Sequence, residues 1–103
     1  MWAQLIKMTL KPGKEGDLAG MFGTLSSFEQ PGSGLVRTTC FQDQKDPSQA
    51  YVVVVFESEA HARAREQDPA RQEVMKAAQV AMGEVFAGPP EFVDLNVLAD
   101  VRP

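Results

Sequence analysis

Side chains able to move a proton or polarise an oxygen are few in this chain. His61 is its only histidine, Tyr51 its only tyrosine and Asn96 its only asparagine. With Gln4 and Arg65 they make up the polar candidates for a site: a base must stand within hydrogen-bond reach of the proton it removes. His61, Asn96 and Tyr51 are therefore the candidate catalytic groups. One histidine cannot build a multi-histidine metal site, and no HExxH, CxxC or Gly-rich phosphate loop is present. Asp43-Gln44-Lys45-Asp46 lacks the glycine and terminal glutamate of a calcium loop and reads as a hairpin turn. No metal is expected. Cys40, in a strand, reads as a small buried hydrophobe, with Arg37 three residues away on the opposite face. Arg63, Arg65 and Arg71 lie among Glu59, Glu66, Asp68 and Glu73, a pattern of i,i+4 pairs on a solvated helix. The alternative for Arg65, near a helix break, is to reach over a cavity and hold an anionic group.

These groups must be positioned by a chain of 103 residues, enough for one domain spanning 1–103 with one modest core. Hydrophobic residues make up 44% and charged residues 23%, which excludes a disordered tail and a disulfide scaffold. Fourteen acidic against ten basic residues give a net charge of -4, contrary to what a nucleic-acid binder needs. The lone cysteine fits a reducing, cytoplasmic setting. The longest apolar run, Ala50 to Phe56, is far short of the roughly 20 residues of a membrane helix. No nucleic-acid or membrane partner is expected.

Hydrophobic period divides the chain into six elements. Residues 2–10 read as a strand with Trp2, Ile6, Met8 and Leu10 on one face, Gln4 interrupting it, and Lys11-Pro12-Gly13 ending it. Residues 14–29 switch to helical spacing through Leu18, Met21, Phe22, Leu25 and Phe28. Residues 35–42 and 49–57 are strands joined by a short turn, hence a hairpin. A helix covers 59–66, and Asp68-Pro69 caps a longer one carrying Val74, Ala77, Ala78, Ala81, Met82 and Val85. Gly88-Pro89-Pro90 stops it before a last strand over 91–99. The order βαββαβ predicts an α+β, ferredoxin-like fold: a four-stranded antiparallel sheet with the helices on one face. The continuous apolar run Val52–Val55 requires the other face to be covered too. A homodimer packed through that sheet face is the expected cover.

This layout resembles the dimeric α+β barrel superfamily, and within it the antibiotic-biosynthesis-monooxygenase-like (ABM) domains. The resemblance rests on Lys11-Pro12-Gly13 after the first strand, Pro31-Gly32 before the second, Tyr51 to Phe56 running into Glu57-Ser58-Glu59-Ala60, and Asp68-Pro69 before the long helix. It covers nearly the whole chain. It implies that a flat hydrophobic, aromatic or quinone-like metabolite binds between sheet and helices. Trp2, Gln4, Ile6 and Met8 would then line the site, completed by Phe22, Leu25, Met75, Met82 and Phe86, with Arg65 at its edge. The implied reaction is cofactor-independent oxidation of an electron-rich phenol or anthrone. Gln4 or Asn96 would steady an enolate oxygen and His61 would act as base. Haem-degrading members of the superfamily use an Asn, a Trp and a His where this chain has Ile6, Arg65 and Met75, so haem degradation is disfavoured. The alternatives are a non-catalytic ligand-binding or dimerisation module, and an isomerase on the same scaffold.

Overall fold

A computed structural model describes residues 1–26 and 32–103 of the protein. Strand β1 (Trp2–Thr9) is followed by a 3-10 turn at Glu15–Asp17 and helix α1 (Leu18–Ser26). Strands β2 (Leu35–Gln42) and β3 (Gln49–Phe56) come next, then α2 (Glu59–Glu66), α3 (Pro69–Val85) and β4 (Glu91–Asn96). The sheet order is β2-β3-β1-β4, and every pairing is antiparallel. This is the ferredoxin-like arrangement expected from the sequence. The expected first helix begins with the 3-10 turn that holds Glu15 and Asp17. Its far end, and the side chains of Phe22, Leu25 and Phe28, lie outside the described residues.

Local chemistry accounts for the element ends. The Asp43 carboxylate accepts hydrogen bonds from the backbone N–H of Lys45 and Asp46 (2.8 and 3.2 Å), which folds the β2–β3 turn. Ser58 caps α2 by accepting from the His61 N–H (3.2 Å), and Asp68 caps α3 by accepting from Ala70 N–H (2.9 Å). Pro69 occupies the first turn, where its missing N–H costs nothing. The four consecutive valines of β3 are β-branched and suit a strand packed on both faces.

Register sorts the side chains into cross-strand rows. On the helix-bearing face run Leu35–Phe56–Trp2–Asn96, Thr38–Val54–Gln4–Asp94 and Cys40–Val52–Ile6–Phe92. On the opposite face run Arg37–Val55–Ala3–Leu95, Thr39–Val53–Leu5–Val93 and Phe41–Tyr51–Lys7–Glu91. A register shift between Leu35 and Arg37 is what puts Leu35 and Arg37 on different faces. The core sits between the first set of rows and the helices, with Val52 fully buried and Leu18, Ala62 and Val85 buried above it.

The opposite face is partly covered by the chain itself. Arg37 of β2 pairs with Asp100 at 3.7 Å. Asp100 follows β4, three strand spacings away, or about 14 Å. The chain after Asn96 is thereby directed back over the far face of the sheet, toward β2. Ala3 and Val55, in the same row as Arg37, are buried although they lie on the face away from the helices. The last strand therefore ends at Asn96 rather than at residue 99, because Val97 onward serves as a strap. Beside the strap Leu5, Val53 and Val93 are half-buried, and Phe41 and Leu95 are exposed.

Candidate functional site

A cavity of about 1140 Å³ opens between the sheet and the helices. The floor is made by alternate strand residues: Trp2, Gln4, Ile6 and Met8 from β1, Val52, Val54 and Phe56 from β3, and Leu35, Thr38 and Cys40 from β2. Period-two alternation, with the bulge after Leu35 in β2, puts all of them on one face. Met75 and Met82 project from α3, and Phe86 and Phe92 close two edges. Methionine adapts to irregular space, so this wall can follow the outline of a ligand. A large concave space with few polar groups is the common form of a small-molecule site.

Apart from Gln4 and Thr38 of the floor, the polar groups of the cavity lie at its borders. Arg65, Glu66, Arg71 and Gln72 come from the corner between α2 and α3, and Lys11 from the end of β1. The Arg65 guanidinium lies 5.3 Å over the Phe56 ring, and Lys11 donates to the Gly83 carbonyl at 2.7 Å. Gln4 is the polar side chain in the β1 row of the floor. Its Nε2 donates to Asp94 Oδ1 (3.0 Å), directly across the strand pair. Arg63 of α2 donates to the other carboxylate oxygen at 2.9 Å and to Glu59 at 3.2 Å. The same guanidinium stacks 5.2 Å over Trp2, which itself lies 6.2 Å from Phe56. The hydrogen bonds from Gln4 and Arg63 hold the Asp94 carboxyl below the usual range, so it is an anion at neutral pH.

Of the residues assigned to substrate binding from sequence, Trp2, Gln4, Ile6, Arg65, Met75 and Met82 all line the cavity. Phe22 has no described side chain. Ile6, Arg65 and Met75, the positions matched to the haem-degrading triad, converge on the same space. The three proposed catalytic groups do not meet. Tyr51 stands on the opposite face, with its hydroxyl 3.4 Å from Asp43 Oδ2. His61 is an exposed residue of the first turn of α2. Its Nδ1 is 2.6 Å from Ser58 Oγ and its Nε2 is 3.8 Å from Glu57. Asn96 pairs with Trp2 at the sheet edge but is not among the lining residues. Sequence reading missed Asp94 and Arg63, which fix Gln4. Only the register of β4 against β1 brings them together. Among the described residues no cluster of side chains could hold a metal ion, and no helix is long and apolar enough to cross a membrane.

Cys40 offers a reporter inside the cavity. Burial raises its thiol pKa, so less thiolate is available at a given pH. Alkylation by iodoacetamide at pH 8 should be slower in the folded protein than in the chain unfolded by urea. An aromatic occupant of the cavity should slow it further. Equal rates in the folded and unfolded chain would contradict this placement.

The fold has known counterparts. The chain is similar over 99% of its length to 93% of NE2512, a protein of unknown function from Nitrosomonas europaea, with a TM-score of 0.74 and 22% identity. It is similar over 99% of its length to 97% of SnoaB, a cofactor-independent oxygenase from Streptomyces nogalater (TM-score 0.76, 14% identity). An antibiotic biosynthesis monooxygenase matches over 96% of this chain and 100% of its own (TM-score 0.70, 13% identity). No protein-family model matches the sequence. No curated protein matches it either. The chain shares with these proteins an α+β ferredoxin-like fold.

Proposed function

We propose that this protein binds a small hydrophobic, aromatic or quinone-like metabolite between its sheet and helices and oxidises it with dioxygen, without a cofactor. The observation that carries the proposal is the cavity: an apolar, methionine-walled space of about 1140 Å³ bordered by a few polar side chains. In an anthrone-type reaction the substrate loses a proton from an activated CH2, and the carbanion passes an electron to dioxygen. The radicals combine to a hydroperoxide, which loses water and leaves a carbonyl. One oxygen atom ends in the product and the other in water with the two substrate hydrogens. The protein's part is to orient the ring system, exclude water and lower the cost of the proton loss.

The protein acts as a homodimer joined through the sheet face away from the helices. The half-buried Leu5, Val53 and Val93 and the exposed Phe41 and Leu95 support this, because a second sheet would cover them. Native mass spectrometry is expected to give twice 11.3 kDa. A monomer at micromolar concentration would overturn it.

Oxygen uptake with anthrone under air tests the catalytic half. Uptake above the spontaneous rate, reduced when Met75→Trp narrows the cavity, is the expected result. Binding of anthrone with no added uptake would favour a non-catalytic binding module. Conversion under nitrogen would favour an isomerase.

A further inference from the structure

Gln4 is a polar residue in an apolar floor, and its environment fixes which end of its amide does what. An ionised carboxylate only accepts hydrogen bonds, so the end of Gln4 that meets Asp94 Oδ1 at 3.0 Å is the NH2. The carboxylate cannot turn away, because Arg63 holds its second oxygen at 2.9 Å and is itself held by Glu59 and stacked on Trp2. With the NH2 committed to Asp94, the carbonyl is the end of the amide left to meet a ligand in the cavity that Gln4 lines. Among the described residues nothing donates to it.

We infer that the Arg63–Asp94–Gln4 chain presents the Gln4 carbonyl oxygen as a fixed acceptor in the cavity. It selects flat ligands that carry a hydroxyl or N–H donor over isosteres that lack one. The inference rests on reading the cavity as a ligand site and adds the polar group the ligand must display. Gln4 is the contact, and Asp94 and Arg63 are positioning residues. A bound phenol is held in its neutral form, because ionisation would set an oxyanion against the carbonyl oxygen. This gives Gln4 a different part from steadying an enolate: it receives the substrate as the acid, before any proton is lost.

Naphthol and its methyl ether are the probes. They share the ring system and differ in the donor. Binding is read from quenching of Trp2 and by calorimetry, with thermal melting as a check on folding. The wild-type protein is expected to favour naphthol by about three- to tenfold, the range of one neutral hydrogen bond. Gln4→Leu should bring the two probes to parity by weakening naphthol alone. Asp94→Ala, at an exposed position, frees the amide to rotate and should also reduce the preference. It provides the test if Gln4→Leu folds poorly. Equal wild-type affinity for the two probes, or a preference that survives Gln4→Leu and Asp94→Ala, would overturn the inference and leave the cavity reading standing. Failure of both probes to bind at millimolar concentration would overturn both.

Discussion

Gly34→Ala is expected to destabilise the protein by about 2–4 kcal/mol, combining left-handed backbone strain with overpacking. Gly34 has a φ of +82°, and its carbonyl accepts from Glu57 N–H at 2.8 Å, tying the start of β2 to the end of β3. A Cβ at this position would overlap the His61 ring, which packs over the glycine. The two contributions can be separated. Gly34→Ala combined with His61→Gly removes the overlapping Cβ and ring atoms of His61 and should recover the overpacking part, leaving the strain of about 1–3 kcal/mol. Urea unfolding of the four chains gives the coupling energy directly. Additive losses would show that the two residues are not in contact. The cycle also assigns His61 a packing and capping role, which fits its distance from the cavity.

Leu10→Ala should cost about 2–5 kcal/mol, the range for a large buried aliphatic side chain cut to a methyl. Leu10 is 2% exposed and bridges Phe86 just past the end of α3. On either side of it Lys11 N–H donates to the Val85 carbonyl and Ala87 N–H to Thr9, each at 2.8 Å. These bonds fasten the end of the long helix to the first strand, and Met82 and Phe86 hold their place in the cavity wall through them. A loss of about 3 kcal/mol lowers the melting temperature by roughly 12–24 °C in a domain of this size. A shift below about 4 °C would mean that the site collapses around the missing atoms or that Leu10 is not core. The same variant should weaken ligand binding, since the wall it supports is part of the site.

Most of the fold could be read from residue patterns because its determinants are local. Asp68-Pro69 marks the start of α3 through its own cap, and Asp43 through Asp46 carries the hairpin turn. The valine run of β3 announces a strand buried on two sides. Alternation along β1 also brought Trp2, Gln4, Ile6 and Met8 to one face. What sequence could not show depends on register between distant segments. Gln4 interrupts an apolar row until Asp94 stands opposite it and Arg63 above it. The strap depends on Asp100 meeting Arg37, 63 positions earlier in a chain whose local pattern there reads as more strand. Tyr51, His61 and Asn96 were selected for their chemistry, and chemistry carries no information on which way a side chain faces. The rows of the sheet separate Tyr51 from the cavity, and the capping of α2 occupies His61.

The central claim is that a flat aromatic ligand lodges on the helix-bearing face of the sheet. Nuclear magnetic resonance of labelled protein titrated with naphthol tests it most directly. The predicted result is a set of saturable shifts at Gln4, Ile6, Val52, Val54, Met75 and Met82, with Leu5, Thr39 and Val53 unmoved. Shifts centred on Leu5, Thr39 and Val53 would place the ligand on the other face and contradict the account.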